Sequence, residues 1–172
     1  AEYVVWDISD VSSSEKAIEK AHSLFGNINV FVNNAGIVCS DDNGPGQVDF
    51  FQKSEAGWDV TMDINLKGTF FALQAEAKYM KNNNIKGNIV NICSEMGFRP
   101  ALFAYGISKW GVRAMTMGAG AYLAPYGIVV NAVAPGITET DMVRNLPTEM
   151  IEPMIARIPL RRIGKPEDIA NA

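Results

Sequence analysis

The sequence is poor in the residues from which metal centres and disulfide frameworks are built. It contains one histidine and two cysteines in 172 residues. Neither Cys39 nor Cys93 stands at ligand spacing from another cysteine or from His22. The sequence therefore predicts no metal site. Two isolated cysteines are typical of the reducing cytoplasm, which is where we expect the protein.

Long apolar runs and strong charge are lacking as well. No stretch reaches the roughly 18 apolar residues that span a bilayer, so we expect no membrane partner. The formal net charge is −4, and without a basic cluster nucleic acid is not expected as a partner. Hydrophobic residues make up 48% and charged residues 20% of the chain. That composition is typical of a globular domain with a core of its own.

Strand-like and helix-like segments alternate along the chain. Short runs that favour β structure predict strands at 3–6, 28–32, 88–93 and 128–134. Helical patterns occupy about 12–25, 54–80, 103–123 and 139–156. A capping box of Ser12 and Glu15 opens the first helix, and the second is expected as two helices that meet near Asn65. This alternation indicates an α/β fold, a parallel sheet covered by helices on both faces.

Polar or turn-forming residues follow each predicted strand directly. In open parallel sheets, ligands bind at the carboxyl ends of the strands. The segments at these four ends are Asp7, residues 33–36 (Asn-Asn-Ala-Gly), Ser94 and residues 135–138 (Pro-Gly-Ile-Thr). Four strand ends thus point to one binding crevice.

Tyr105 and Lys109 stand four residues apart in a predicted helix, so their side chains share one face. A tyrosine hydroxyl titrates near pH 10, and a nearby cation favours the phenolate and lowers its pKa. By itself, such a pair is more often an exposed surface contact. Whether the pair is catalytic therefore depends on the motifs that surround it.

Taken together, the motifs resemble those of the short-chain dehydrogenase/reductase family, of the group that includes 3-oxoacyl-acyl-carrier-protein reductases and polyol or sugar dehydrogenases. The matching segments, in order, are residues 33–36, Asn65-Leu66-x-Gly68, Ser94, Tyr105-x-x-x-Lys109, Asn131-x-x-x-Pro135-Gly136 and residues 159–170. The resemblance runs nearly end to end. It implies a Rossmann-type, doubly wound parallel sheet in three α/β/α layers, truncated at both ends, with residues 1–172 forming one partial dinucleotide-binding and catalytic domain.

The resemblance implies an NAD(P)-dependent oxidoreductase that transfers a hydride between nicotinamide and a small hydroxyl or carbonyl substrate. Tyr105 would be the general acid in carbonyl reduction and the base in alcohol oxidation. Lys109 would lower the pKa of Tyr105 and bind the nicotinamide ribose. Ser94 would hold the substrate oxygen, and Asn65 would bind a water that relays protons to Lys109. A turn cap at Ser94 and an ordinary buried hydrogen bond at Asn65 remain alternatives.

Cofactor contacts are implied at the same strand ends. Asp7 would meet the adenine beside the Ile8 backbone, Thr138 the carboxamide, and Thr140 the phosphates. The full implied set is Asp7, Ile8, Asn34, Ala35, Gly36, Tyr105, Lys109, Thr138 and Thr140. Asp7 is alternatively a turn residue, and a structural role for Asn33 is as plausible as a cofactor contact. The sequence does not distinguish NAD from NADP.

Substrate contacts are implied at Ser94, Tyr105 and Glu95, and Glu95 leans weakly towards a polyol or sugar. Residues 37–58 form either a solvated insertion or a wall of the pocket. Residues 139–155 resemble a helix that closes over substrate, although methionines at helical spacing are as often core. In the family, helices at 65–80 and 103–123 join two subunits, so the resemblance implies a homodimer or homotetramer of the full-length protein.

Other classes of function remain open. The chain could be a non-catalytic or regulatory protein on the same fold, or an inactive fragment. A different Rossmann-type enzyme, such as a methyltransferase, would not require Ser94, Tyr105 and Lys109 to converge.

The first prediction concerns cofactor binding by the 172-residue chain. Full-length members of the family begin with a Gly-rich turn that cradles the pyrophosphate, and the first thirty residues here contain none. By family length, we expect about 55–60 residues to be lacking in front and about 25 behind. We therefore expect weak or no binding of NADH or NADPH, measured by fluorescence titration. Micromolar affinity would contradict this expectation.

Overall fold

Three parallel strands form the sheet at the centre of the molecule. The computed structural model describes residues 2–39, 49–144 and 148–172. Within them, β1 (Val30–Asn33), β2 (Asn88–Ile92) and β3 (Val129–Val133) pair side by side in chain order. Both pairs are parallel. The carboxyl ends therefore share one edge, and the predicted parallel α/β sheet is confirmed.

Helices lie before, between and after the strands. Their bounds are α1 (Ser14–Phe25), α2 (Glu55–Met62), α3 (Thr69–Asn82), α4 (Ala104–Leu123), α5 (Asp141–Arg144), α6 (Thr148–Ile155) and α7 (Pro166–Ala170). Between α2 and α3 the chain is π-helical over Asp63–Gly68. This change of helix confirms the predicted break near Asn65. Gly26 ends α1 with a φ of 75°, a conformation that suits glycine.

The hydrophobic core lies between the sheet and the long helices α3 and α4. In α3, Leu73, Ala77 and Met80 recur at the spacing of one helical face, and that face packs against the sheet. Ile89 of β2 and Val130 of β3 meet it from the other side. The sheet is thereby fixed in place, and its carboxyl edge is held at the site.

The predicted first strand is wrong, because residues 2–6 form no strand among the described residues. The side chains of Tyr3 and Val5 are 82% and 86% exposed. An apolar, β-favouring run becomes a strand only beside another strand that accepts its hydrogen bonds. None of the described strands pairs with it.

Helix starts and loops differ from the sequence expectation in two further places. The capping box at Ser12 is wrong, since Asp10 instead accepts hydrogen bonds from the Ser12 amide at 3.1 Å and hydroxyl at 2.6 Å. A short 3-10 turn, Val11–Ser13, results before α1. Within the predicted helix over 139–156, α5 and α6 are helical, and residues 145–147 lie outside the described residues. Residues 40–48, within the predicted insertion or pocket wall at 37–58, lie outside the described residues.

A chain of buried polar side chains crosses the core from α3 to α4. Asn33 Nδ2 donates to Glu76 Oε2 at 2.9 Å and to Asn91 Oδ1 at 3.0 Å. Asn91 Nδ2 continues to Thr116 Oγ1 at 2.9 Å, and the Thr116 hydroxyl donates to the Val112 carbonyl at 2.7 Å. All four linked side chains are buried. The expected tie between neighbouring strands by Asn33 is thus present, and it extends into both helices.

Glu76 is the only carboxylate among the buried residues described, and it is 2% exposed. Burial disfavours its charged form and raises its pKa from 4.5 to about 7. The hydrogen bond from Asn33 lowers the pKa but is the smaller effect. The folded chain therefore holds a proton on Glu76 that the unfolded chain loses at lower pH.

The second prediction follows from this proton. Between about pH 4.5 and about pH 7, the folded state binds more protons at Glu76 than the unfolded state does. The contribution of Glu76 to the free energy of unfolding thus falls as pH rises through this window, by up to about 3 kcal/mol, and is constant above it. In Glu76→Gln the amide still accepts from Asn33 but does not titrate. Urea unfolding across this range should show that the free energy of unfolding of the variant increases relative to that of the wild type as pH rises.

A matched control for this prediction is Glu15→Gln, which removes an exposed carboxylate paired with Lys78 of α3. Its stability should follow the wild type within about 0.5 kcal/mol at each pH. A Glu76→Gln curve parallel to that of the wild type would contradict the prediction.

Candidate active site

Ser94 lies just beyond the end of β2, where its side chain does two things. It caps the short 3-10 helix Glu95–Phe98 by accepting from the Met96 amide at 3.2 Å. It also forms a side-chain hydrogen bond with Tyr105, which projects from the first turn of α4. The cap that the sequence left as an alternative therefore coexists with the contact that the family resemblance implies.

The pKa of Tyr105 is raised, which corrects the expectation that Lys109 would lower it. Burial of the phenol is the largest cause, because a phenolate loses its hydration there. The hydrogen bond with Ser94 opposes this shift, while Cys93 and Glu95 add to it. Tyr105 is therefore held as a neutral phenol, the form that donates a proton.

Lys109 lies one helical turn beyond Tyr105, and its side chain is buried. Its Nζ is 5.6 Å from the centre of the Tyr105 ring and donates to the Ile92 carbonyl at 2.8 Å. Burial lowers the pKa of the ammonium, and Cys93 partly opposes this. The predicted pairing on one helix face is present, but the ammonium binds the end of β2 instead of the phenol.

Asn65 clamps the segment that follows β1. From the π-helical turn, its Oδ1 accepts from the Ile37 amide and its Nδ2 donates to the Ile37 carbonyl, both at 2.8 Å. The buried hydrogen bond left as an alternative is thus the observed role of Asn65. A proton-relay water at Asn65 stays a prediction.

The loop Asn34–Gly36 leaves β1 with its side chains exposed. A Cβ built at Gly36 would lie 3.3 Å from Asn65 Oδ1 and 3.7 Å from Lys109 Nζ. The glycine therefore brings bare backbone up to the buried ammonium. The structure brings the segment at 33–36 together with Asn65 and Lys109.

Asp7 forms a local turn. Its Oδ1 accepts from the Ser9 amide at 2.9 Å and the Ser9 hydroxyl at 2.7 Å, and these bonds lower its pKa. The neighbouring Ile8 carbonyl lies 2.6 Å from a Cβ built at Gly68, at the end of the π-helical turn. The turn role left open for Asp7 is present, and a contact with adenine stays a prediction.

Residues 136–140 lie beyond β3, where Glu95 approaches them. The Glu95 amide donates to the Pro135 carbonyl at 2.9 Å, and a Cβ at Gly136 would be 3.9 Å from the Glu95 carboxylate. Thr138 bridges to Gly164, and the Thr140 amide donates to the Thr138 carbonyl at 2.8 Å. The segment that carries both threonines is therefore fixed beside Ser94.

Gly97 and Cys93 hold the site together and were not singled out by their sequence pattern. The Cys93 thiol donates to the Lys109 carbonyl at 3.2 Å. A Cβ at Gly97 would lie 2.8 Å from that carbonyl and 2.9 Å from Cys93 Sγ. A glycine three residues after a strand-end serine was the available signal for this close approach.

The residues present fit a dinucleotide. An ammonium has three N–H donors, and the described residues supply one hydrogen-bond acceptor to Lys109, the Ile92 carbonyl. Its remaining donors lie beside the bare backbone of Gly36. Lys109 could therefore bind ribose hydroxyls, with the loop Asn34–Gly36 as the adjoining wall.

Comparison with known proteins is consistent with this geometry. A family model described as enoyl-(acyl carrier protein) reductase matches residues 1–172. A 3-oxoacyl-[acyl-carrier-protein] reductase of Thermotoga maritima is 39% identical over 170 residues, 97% of this chain and 65% of that protein. A 3α-hydroxysteroid dehydrogenase of Mediterraneibacter gnavus is 40% identical over 167 residues, 96% of this chain and 64% of that protein. The chain thus spans slightly less than two thirds of these relatives.

Solved structures agree in fold. A 3-oxoacyl-[acyl-carrier protein] reductase from Brucella melitensis in complex with NAD has a TM-score of 0.88 at 30% identity, over 98% of this chain and 67% of that one. The protein ElxO with NADP bound has a TM-score of 0.85 at 29% identity, over 99% of this chain and 68% of that one. Among the described residues, no helix is long and apolar enough to cross a membrane, and no three His, Cys, Asp or Glu side chains cluster as metal ligands do.

The third prediction tests the close approach at Gly97. In Gly97→Ala the methyl group meets a backbone carbonyl that cannot turn aside, so we expect a loss of about 1–3 kcal/mol of stability. The matched control is Gly118→Ala in α4, where a Cβ meets nothing within 4 Å. Without a contact to disturb, that change should stabilise the chain by about 1 kcal/mol. Equal effects of the two variants in urea unfolding would refute the packing argument.

Proposed function

Because the chain belongs to the short-chain dehydrogenase/reductase family, we propose that it carries the catalytic site of an NAD(P)-dependent oxidoreductase. The reaction interconverts a ketone and a secondary alcohol on a small molecule. One observation carries the proposal: Ser94 and Tyr105 are hydrogen-bonded at the carboxyl end of β2, and the buried Lys109 ammonium lies beside the Tyr105 ring. A surface pair would show neither the burial nor the contact with Ser94.

The proton moves at the Tyr105 hydroxyl. With its pKa raised by burial, Tyr105 is protonated at neutral pH and donates to a carbonyl oxygen as that oxygen gains charge. Ser94 donates a second hydrogen bond to the same oxygen and holds it in place. In alcohol oxidation the same atoms act in reverse. The nicotinamide, when bound, supplies or accepts the hydride.

The cofactor is NAD or NADP. Two structural relatives support this, since one holds NAD and the other NADP. Lys109 would bind the ribose through its remaining donors, with the backbone of Asn34–Gly36 beside it. Thr138 and Thr140 would meet the carboxamide and phosphates, and Asp7 and Ile8 the adenine. Asn65 keeps the loop in register and is the proposed site of the relay water.

The substrate class is less narrowly supported. By their names, the two sequence relatives act on different molecules, a 3-oxoacyl-[acyl-carrier-protein] and a 3α-hydroxysteroid. Glu95 adds a carboxylate beside Ser94, but Arg99 Nη2 already donates to it at 2.8 Å. A neutral hydroxylated substrate could still bond its second oxygen, which supports a polyol or sugar weakly.

A homodimer or homotetramer is part of the proposal. On α4, the side chains of Trp110, Met117 and Tyr122 are exposed, and an apolar helix face of this kind suits contact with a second subunit.

The fourth prediction tests the acid. In the full-length protein, Tyr105→Phe keeps the ring but removes the transferred proton, so carbonyl reduction should fall by about 10²–10⁴-fold in kcat. The wild-type rate of reduction should also fall as the pH rises through the raised pKa of Tyr105, because the phenol is then lost. Both effects are measured by following NADH and NADPH oxidation with a panel of ketones.

The control is Tyr126→Phe, which alters an exposed tyrosine whose ring packs under Lys81. It should leave turnover unchanged. Unchanged turnover in Tyr105→Phe itself would exclude the acid role and favour a non-catalytic protein on this fold.

A further inference from the structure

Glu76 is a buried acid outside the proton-transfer site. Its carboxylate is 2% exposed, and it belongs to α3. An amide or a leucine of similar volume would avoid the cost of burying a charge. Stability alone therefore does not explain an acid at this position.

The contact that Glu76 makes lies at the base of the proposed cofactor loop. Its partner Asn33 is the last residue of β1 and immediately precedes Asn34–Gly36. Ile37 directly follows Gly36, and the Asn65 side chain hydrogen-bonds both its backbone amide and its backbone carbonyl. The loop is thus held at its two ends, by Glu76 through Asn33 and by Asn65 directly.

Both anchors come from one continuous helical run. Asn65, in the π-helical turn, and Glu76, in α3, are eleven residues apart, and both side chains are buried. Asn33 also donates to Asn91, its partner in the register of β1 and β2. Asn91 lies three residues before Ser94. The contact therefore ties the loop to the strand that carries Ser94.

We propose that Glu76 is a positioning residue for the dinucleotide site: through Asn33 it holds the end of β1, and so fixes the loop Asn34–Gly36 against Lys109. The proposal rests on the proposed function, in which this loop and Lys109 receive the cofactor. It adds a residue that acts from the core without touching the cofactor.

The charge on Glu76 sets the strength of this anchor. A hydrogen bond to a carboxylate is roughly twice as strong as one to a neutral acid. The pKa of Glu76, raised by burial to about 7, places the change near neutral pH. The loop should be held more tightly above this pH than below it, although the fold itself is less stable there.

Four titratable side chains near α3 have described partners other than Glu76. These contacts are Glu15 of α1 with Lys78, His22 of α1 with Tyr79, Cys93 after β2 with the Lys109 carbonyl, and Lys109 of α4 with the Ile92 carbonyl. A histidine changes charge in the same pH range. The test therefore needs a His22 control.

The first arm of the test needs no cofactor. In the wild-type chain, the amide NMR signals of Gly36 and Ile37 should shift with the same midpoint as the Glu76 carboxyl signal. The shift should vanish in Glu76→Gln, which keeps the acceptor for Asn33, and persist in the controls His22→Gln and Glu15→Gln. Loop signals that do not follow Glu76, or that still titrate in Glu76→Gln, would overturn the proposal.

The second arm measures NADH binding by the full-length protein. NADH is chosen because it lacks the 2′-phosphate, whose second ionisation falls near pH 6. Affinity should rise about fivefold from pH 6 to pH 8, the gain expected when a neutral hydrogen bond becomes charge-assisted, and stay flat in Glu76→Gln. Normal NADH binding with the same pH dependence in Glu76→Gln would contradict the role of Glu76. Absence of NADH binding at every pH would instead contradict the proposed function.

Discussion

The parallel pairing of β1, β2 and β3 is the constraint on which the site depends. Because the strands run the same way, the loop after β1, Ser94 after β2 and the turn after β3 leave the sheet at one edge. The core of α3 and α4 against the sheet keeps that edge in register. Helix α4 then needs only to begin at this edge for Tyr105, in its first turn, to reach Ser94.

Burial decides the electrostatics of the site more than the nearness of charges does. A phenol and an ammonium on one helix face suggest mutual stabilisation of their charged forms. In the folded chain, loss of hydration dominates at both groups, so the pKa of Tyr105 is raised and that of Lys109 is lowered. The one described hydrogen bond of the Lys109 ammonium goes to the Ile92 carbonyl. The pair is therefore arranged for a neutral phenol that donates a proton, with the remaining ammonium donors turned to the loop.

Sequence patterns predicted those parts of the fold whose signal is local. The long helices, the three paired strands and the break near Asn65 were predictable, because apolar spacing and an unfavourable asparagine mark them. The strand at 3–6 was not, since an apolar run carries no information about whether a strand lies beside it. Ser94, Tyr105 and Lys109 could be placed together from their strand and helix positions. The contact of Lys109 with Ile92 depends on side-chain packing, which no spacing rule gives.

Glu76 shows what a closer use of the same patterns could have found. It follows Leu73 by three residues and precedes Met80 by four, so it shares the apolar face of α3. An acid on that face must be buried, and a buried acid must have a partner. The polar candidates at the facing strand positions are the asparagines at 33 and 91, which lie opposite each other in the register of the sheet. Asn65, in the π-helical turn, belongs to the same helical run as Glu76. One run therefore holds the loop after β1 at both ends, since Asn65 binds the Ile37 backbone and Glu76 binds Asn33.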